Sequence, residues 1–181
     1  MEEMIRIYLD SKDDYKNYIN QIFKYVKNIE FVILDDSYIF SPIIMEYLKK
    51  NNFRAKNVKS WIGTKSGSRK NLLYRFDANS EFKSILLKLE NFFVIDKKEI
   101  SKDTYSCTIE DTDWGHADIA FFDENNEVIS YVTAHEGDIF VNEKYIYDFS
   151  QFILDKNVSY FFGLWIKIRL VETISGEKYG N

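Results

Sequence analysis

The chain has 181 residues, of which 45% are hydrophobic and 29% charged, and its formal net charge at pH 7 is −5. These proportions are typical of a globular protein, so they exclude a mainly disordered chain, and the length leaves little room for a second domain. The single cysteine, Cys107, excludes an internal disulfide and favours a reducing, cytoplasmic location. Residues 1–4 lack the pattern of a secretory signal, and the apolar stretch 160–170 is too short to span a bilayer. We therefore expect one globular domain over residues 1–181 and no membrane partner.

The first half of the chain alternates strand and helix patterns. Ser11 is a suitable N-cap with Asp14 three residues later, and apolar residues then recur at helical spacing. Ser41 followed by Pro42 predicts the start of a second helix. The predicted elements are a strand at 4–9, a helix at 12–27, a strand at 30–34, a helix at 42–52, strands at 57–62 and 71–77, and a third helix capped by Asn79 or Ser80.

The second half of the chain has runs of strands. The predicted elements are strands at 92–95 and 105–109, a hairpin of 116–122 with 128–135, a helix at 145–154 and a strand at 160–170. The strand–helix–strand order at the start allows a parallel pair, whereas consecutive strands favour antiparallel pairing. The predicted fold is therefore a single α+β domain, with a mixed, largely antiparallel sheet packed by about four helices.

Charge is unevenly distributed along the chain. Between Tyr47 and Phe76, a stretch that we call the basic window, there are nine basic residues and no acidic one. Between Asp96 and Asp148 there are fourteen acidic and four basic residues, a net charge of −10. The loop at 63–70 in the basic window could hold phosphate, or the basic charges could balance acids elsewhere in the fold. The acidic stretch suits a basic partner surface, although it is also compatible with a role in solubility alone.

The two histidines of the chain both fall in the predicted hairpin. Asn125 and Asn126 suit a tight turn, because asparagine tolerates left-handed backbone. If the loop has two or four residues centred on Asn125 and Asn126, each residue of the first strand pairs with the residue of the second strand that brings the sum of their numbers to 251. The predicted pairs are Phe122 with Ile129, Ala120 with Tyr131, Asp118 with Thr133, and His116 with His135. Because side chains alternate along a strand, both histidines and Asp118 lie on one face of the hairpin. The other face, which is expected to pack on helices, is apolar and contains Ala117, Ile119, Phe121, Val128, Val132 and Ala134.

Two histidines and a carboxylate are suitable ligands for Zn²⁺ or Fe²⁺, and His135 with Asp118 could instead serve as a general base and its orienting acid. This interpretation predicts a metal-dependent hydrolase with a cross-strand site of His116, His135 and Asp118. Two alternatives stay open. The histidines could be structural or interface residues, or a loop of three or five residues could move them to opposite faces.

The segments Trp114-Gly115-His116-Ala117-Asp118 and Thr133-Ala134-His135-Glu136-Gly137 resemble strands of bacterial immunity proteins of the polymorphic-toxin type. Those proteins are also similar to this chain in being small, acidic, aromatic-rich and α+β. The resemblance covers this hairpin alone. It implies a cytoplasmic binding protein that neutralises a toxin domain and has no catalysis of its own.

The leading hypothesis is thus a non-catalytic inhibitor whose acidic surface meets a basic toxin domain. It assigns no catalytic residue, metal or cofactor. The expected partner-binding residues are Asp111, Asp113, Trp114, His116, Asp118, His135, Glu136 and Asp138. The alternative is the metal-dependent hydrolase. A third hypothesis, nucleic-acid binding by the basic window, is disfavoured by the overall acidity, so nucleic acid is not an expected partner.

Overall fold

The computed structural model describes residues 3–33, 41–62, 64–65, 71–89, 92, 117–134 and 136–152. Its strands are β1 (Met4–Ile7), β2 (Asn28–Ile33), β3 (Lys56–Val58), β4 (Ser60–Trp61), β5 (Thr64–Lys65), β6 (Asn71–Asp77), β7 (Ala117–Phe122), β8 (Val128–Thr133) and β9 (Asp138–Asn142). Its helices are α1 (Lys12–Ile22), α2 (Pro42–Lys50) and α3 (Ser80–Lys88), followed by a 3₁₀ helix at Glu143–Phe152.

Seven of these strands form one sheet in the order β1-β9-β8-β7-β2-β6-β3, and β4 pairs with β5 in a separate small hairpin. Every pairing among the described strands is antiparallel. Strands β1 and β2 run in the same direction, but three strands lie between them, so the parallel pair that the element order allowed does not form there. The predicted α+β class, with a largely antiparallel sheet and about four helices, is confirmed.

The four described helices lie side by side, with α1 near the centre. Tyr18 of α1 contacts Phe149 of the 3₁₀ helix, with ring centroids 5.6 Å apart. On its other side, the Tyr15 hydroxyl of α1 donates to the Leu86 carbonyl of α3 at 2.8 Å. Helix α3 in turn packs against α2. The layer therefore runs from the 3₁₀ helix through α1 and α3 to α2.

Apolar rows of the sheet lie under this layer. Ile29 of β2 is paired with Phe121 of β7 on one side and Phe76 of β6 on the other, and all three are buried. The ring of Tyr18 lies 6.4 Å from that of Phe121, and the ring of Tyr47 in α2 lies 5.7 Å from that of Phe76. Helices α1 and α2 therefore cover the same face of the sheet, and apolar side chains of both helices and of the strands beneath them are buried in one core.

Local sequence signals set where the helices begin. The Asp14 amide donates to Ser11 Oγ at 3.1 Å, and the Phe82 amide donates to Asn79 Oδ1 at 2.9 Å, so both predicted N-caps are confirmed. Helix α2 begins at its proline as predicted, but Ser41 makes no side-chain capping bond. Caps that accept an otherwise orphaned amide each contribute about 1 kcal/mol to helix stability.

A buried pair of hydrogen bonds ties α1 to the sheet. The Tyr18 hydroxyl lies 2.5 Å from Ser130 Oγ, and Ser130 Oγ donates to the Phe140 carbonyl at 2.6 Å. A carbonyl can only accept, so the Ser130 proton is used there and the Tyr18 hydroxyl must donate to Ser130. Both side chains are fully buried, and burial raises the pKa of Tyr18. The two bonds therefore join α1 to β8 and β9 without solvent competition.

Several elements differ from the sequence predictions. Strand β9 is absent from the predicted set, and the predicted strand 57–62 is divided between β3 and β4. Helix α1 ends at Ile22 rather than residue 27, and the helix predicted at 145–154 is a 3₁₀ helix that begins at Glu143. The strands predicted at 92–95, 105–109 and 160–170 lie outside the described residues, except for the single buried residue Phe92.

Replacing Ser130 by Ala should destabilise the protein more than replacing Tyr18 by Phe. Ser130→Ala removes the partner of the buried Tyr18 hydroxyl and the side-chain bond to the Phe140 carbonyl, whereas Tyr18→Phe leaves the Ser130 bond intact. We expect losses of about 2–3 and about 1 kcal/mol in the free energy of unfolding, measured by urea denaturation. The double variant should lose less than the sum of the two, and strict additivity would contradict the coupling.

Candidate functional site

The β7–β8 hairpin has the predicted register over most of its length. Its confirmed pairs are Ile119 with Val132, Ala120 with Tyr131, and Phe121 with Ser130. A bulge between Phe121 and Phe122 then shifts the pairing, so Phe122 faces Val128 and the predicted partner Ile129 is wrong. One extra residue on the β8 side of the turn explains the shift.

The two faces of the hairpin are as predicted up to the bulge, beyond which Val128 lies opposite Phe122 rather than on the predicted apolar face. Ile119, Phe121 and Val132 are buried in the core. Tyr131 lies on the opposite face, where its ring stacks on that of Phe140 with centroids 4.9 Å apart. Alternation along β7 and β8 therefore separates an apolar face under the helices from a face with polar and aromatic groups.

Three of the eight predicted partner-binding residues are described. Asp118 is fully buried, and its Oδ1 accepts the Ala134 amide at 2.9 Å. Glu136 is exposed in the turn between β8 and β9, and Asp138 at the start of β9 forms an ion pair with Arg6 of β1. The predicted residues outside the described ranges are Asp111, Asp113, Trp114, His116 and His135.

The cross-strand metal site stays a prediction, because His116 and His135 lie outside the described residues. Among the residues that the structure describes, no three His, Cys, Asp or Glu side chains lie close enough together to hold a metal ion. The buried Asp118 carboxylate, the third member of that predicted site, already accepts a backbone amide of the hairpin.

The separation of charge along the chain becomes a separation in space. The C-terminal end of α2 and the strands β3 and β6 carry basic residues of the basic window, and β3 is the last strand of the sheet. The described acids of the acidic stretch lie instead on or beside β7, β8, β9 and the 3₁₀ helix. Strands β3 and β8 are four positions apart in the sheet, which corresponds to about 19 Å.

Exposed tyrosines lie in this acidic half. The large hydrophobic residues exposed in the described chain are Tyr8, Tyr25 and Tyr147, at 39%, 36% and 46% of their full surface. The Tyr25 hydroxyl donates to Asp148 Oδ2 at 2.6 Å, and its ring lies 5.2 Å from that of Tyr145. We define the tyrosine–acid surface as Tyr25, Glu124, Glu127, Glu143, Tyr147 and Asp148.

A hydrogen-bonded network around Asp123 holds this surface together. Asp123 Oδ1 accepts the amides of Asn125 and Glu127, both at 2.9 Å, which fixes the β7–β8 turn. Asp123 Oδ2 accepts the Tyr145 hydroxyl at 2.7 Å and Lys144 Nζ at 3.2 Å. Lys144 Nζ also lies 2.7 Å from Glu127 Oε2. The turn and the start of the 3₁₀ helix are thereby joined through one carboxylate.

These contacts shift the ionisation of the network. Burial acts to raise the pKa of Asp123, but the bonds from Tyr145, the Glu127 amide and Lys144 outweigh it and hold that pKa below its ordinary value of 3.8. Burial and the bond to Asp123 raise the pKa of Tyr145 to about 12. At neutral pH, Asp123 is therefore ionised and Tyr145 is a fixed donor to it.

The residues of the tyrosine–acid surface are not grouped by any pattern in the sequence. Its acids were visible only as part of the −10 stretch between residues 96 and 148. Tyr25 precedes Asp148 by 123 residues in the chain, and the two side chains come together only in the fold. The acidic sequence of the turn between β7 and β8 was the one local feature that pointed to this surface.

No protein-family model matches the chain, and no curated protein and no solved structure is significantly similar to it. Within the described part of the chain, none of the helices has both the length and the apolar character that are needed to cross a membrane.

Asp123→Asn should destabilise the protein at neutral pH, since an amide replaces the carboxylate that accepts four donors. We expect a loss of about 2 kcal/mol in the free energy of unfolding at pH 7. Because the folded pKa of Asp123 lies below its unfolded value, its contribution is present above about pH 4 and is lost as pH falls through the folded pKa. Urea unfolding at several pH values measures both effects.

The matched control for that variant is Asp13→Asn, which changes the same group at an exposed position of α1. The Asp123→Asn variant should lose less stability than the parent protein between pH 4 and pH 2. Parallel pH profiles for parent and Asp123→Asn would show that this carboxylate does not contribute as described.

Proposed function

We propose that this chain is a non-catalytic binding protein that neutralises a toxin domain with a basic surface, as the resemblance to bacterial immunity proteins implies. The observation that supports it is the concentration of exposed tyrosines and acids in the half of the molecule that contains β7, β8, β9 and the 3₁₀ helix. The reducing environment indicated by the single cysteine is compatible with action in the cytoplasm.

Electrostatics explains how such a surface would work. A surface whose charges have one sign raises the association rate of an oppositely charged partner, because charges at the rim of the interface steer the two proteins together. Two bases contact the turn beside this surface: Lys144 is paired with Asp123 and Glu127, and Arg75 donates to Asn126 Oδ1 and is paired with Glu30. The exposed acids Glu124 and Glu143 would then face a basic partner, whereas Glu127 is paired with Lys144 and Asp148 accepts the Tyr25 hydroxyl.

The exposed tyrosines supply the apolar contact area that a charged surface lacks. Tyrosine is enriched at binding hot spots, because it buries a large area at a small cost in conformational entropy. Tyr25 is held in place by its bond to Asp148 and its contact with Tyr145. A pre-ordered aromatic side chain loses less freedom on binding, so the surface is suited to a long-lived complex.

A second acidic group lies at the other end of the hairpin. Glu136 lies in the β8–β9 turn and Asp138 begins β9, where it is paired with Arg6, and both are among the predicted partner-binding residues. Strand β8 has six residues, which places this group about 20 Å from Glu127. A partner of ordinary interface size could contact both groups along the hairpin.

The partner should be retrieved from cells that express the neighbouring genes, and it should be a basic domain. Glu124→Gln with Glu143→Gln should lower the association rate several-fold at low salt, with a smaller effect at high salt, because screening removes the steering. The control is Asp10→Asn with Glu46→Gln, which changes the net charge equally at exposed positions outside the tyrosine–acid surface. Equal effects of the two pairs, or retrieval of an acidic partner, would contradict the proposal.

Tyr147→Ala should act on dissociation instead. We expect an affinity loss of about tenfold or more, about 1.4 kcal/mol, carried mainly by a faster dissociation rate. Its thermal unfolding should not change, because the side chain is exposed. Tyr8→Ala, a second exposed tyrosine outside the defined surface, is the matched control in the same biosensor assay. An unchanged dissociation rate in Tyr147→Ala would remove this residue from the interface.

A further inference from the structure

The segment that joins α2 to β3 is exposed and carries only basic and neutral residues. Every residue from Lys49 to Asn57 is exposed except Phe53, which is half-buried. The bases of this segment are Lys49, Lys50, Arg54 and Lys56. Lys50 is paired with Glu81 of α3 at 2.7 Å, and no described residue forms an ion pair with the other three. We call Lys49, Arg54 and Lys56 the basic edge.

The backbone of this segment is held in one conformation. Asn52 takes a positive φ of 53°, which turns the chain at the end of α2. The Phe53 amide donates to the Leu48 carbonyl at 3.1 Å, and the Phe53 ring stacks on Phe76 with centroids 4.9 Å apart. The bases are therefore displayed by an anchored connection, which lowers the ordering cost of binding a ligand.

Strand β3 places part of the basic edge at the end of the described sheet. Strand β3 is last in the sheet order and pairs with β6 alone among the described strands. The acids of the tyrosine–acid surface lie on the opposite side of β2, so their field does not cancel that of the basic edge at close range.

The composition of the segment fits phosphate better than a protein partner. Lysine is depleted in protein–protein interfaces, which favour aromatic and apolar anchors, and here the one aromatic residue is turned into the fold. Contacts to the phosphates of nucleic acid are made by Lys, Arg and Asn side chains, among other groups, and this segment offers all three. We propose that the basic edge binds the phosphate backbone of nucleic acid without sequence preference, as a function separate from toxin binding.

The test is fluorescence anisotropy with a labelled thymidine oligonucleotide and a labelled duplex, each of about 20 units, at several salt concentrations. The triple variant Lys49→Gln/Arg54→Gln/Lys56→Gln is compared with Lys16→Gln/Lys24→Gln/Lys27→Gln, which removes the same charge from exposed positions elsewhere. Lys50 is left in place, since its pair with Glu81 joins α2 to α3. Thermal unfolding confirms that both variants fold.

We expect the parent protein to bind both probes in the micromolar range at low salt. The basic-edge variant should bind at least tenfold more weakly, and its slope of log affinity against log salt for the duplex should be shallower by about 2 to 3. The control triple should bind within about twofold of the parent. Three results would overturn the proposal: no binding of either probe at low salt, equal weakening by both variants, or equally tight binding of polyglutamate with the same dependence on the basic edge.

Discussion

Strand β2 is the element on which the arrangement of the molecule depends. It is hydrogen-bonded to β7 on one side and to β6 on the other over its whole length, so it joins the half with β1, β9, β8 and β7 to the half with β6 and β3. Side chains reinforce the junction, because Glu30 of β2 accepts Trp61 Nε1 and Arg75 Nη1, both at 2.9 Å. In the sheet order, this strand lies between the strands of the acidic half and β3, which carries part of the basic edge.

That separation gives a weakly charged molecule two strongly charged sides. A net charge of −5 predicts modest attraction for cations and repulsion of polyanions when it is treated as uniform. With screening over about 8 Å at physiological salt, a partner responds mainly to the side that it approaches. Under the two proposals, the tyrosine–acid surface and the basic edge would therefore attract partners of opposite charge independently.

The sequence predicted features that depend on local chemistry. The caps at Ser11 and Asn79 and most of the β7–β8 register follow from neighbouring residues, so they were predictable. Strand β9 was not, because its five residues become a strand only through the tight turn at Gly137, where φ is 75°. The exposed tyrosines were also beyond prediction. Tyr18 is fully buried and Tyr147 is 46% exposed, and the difference depends on which helix face meets the sheet.

The central claim is that the acidic half of the molecule is a surface for a basic partner. Titration of the isotope-labelled protein with unlabelled decalysine at low salt, followed by amide chemical shifts in NMR spectra, tests it most directly. The account predicts shifts concentrated in the β7–β8 turn and the 3₁₀ helix, residues 123–127 and 143–148, with none at 49–57. The claim would be contradicted by amide shifts spread evenly over all the acidic residues of the protein. It would also be contradicted by shifts centred outside residues 123–127 and 143–148.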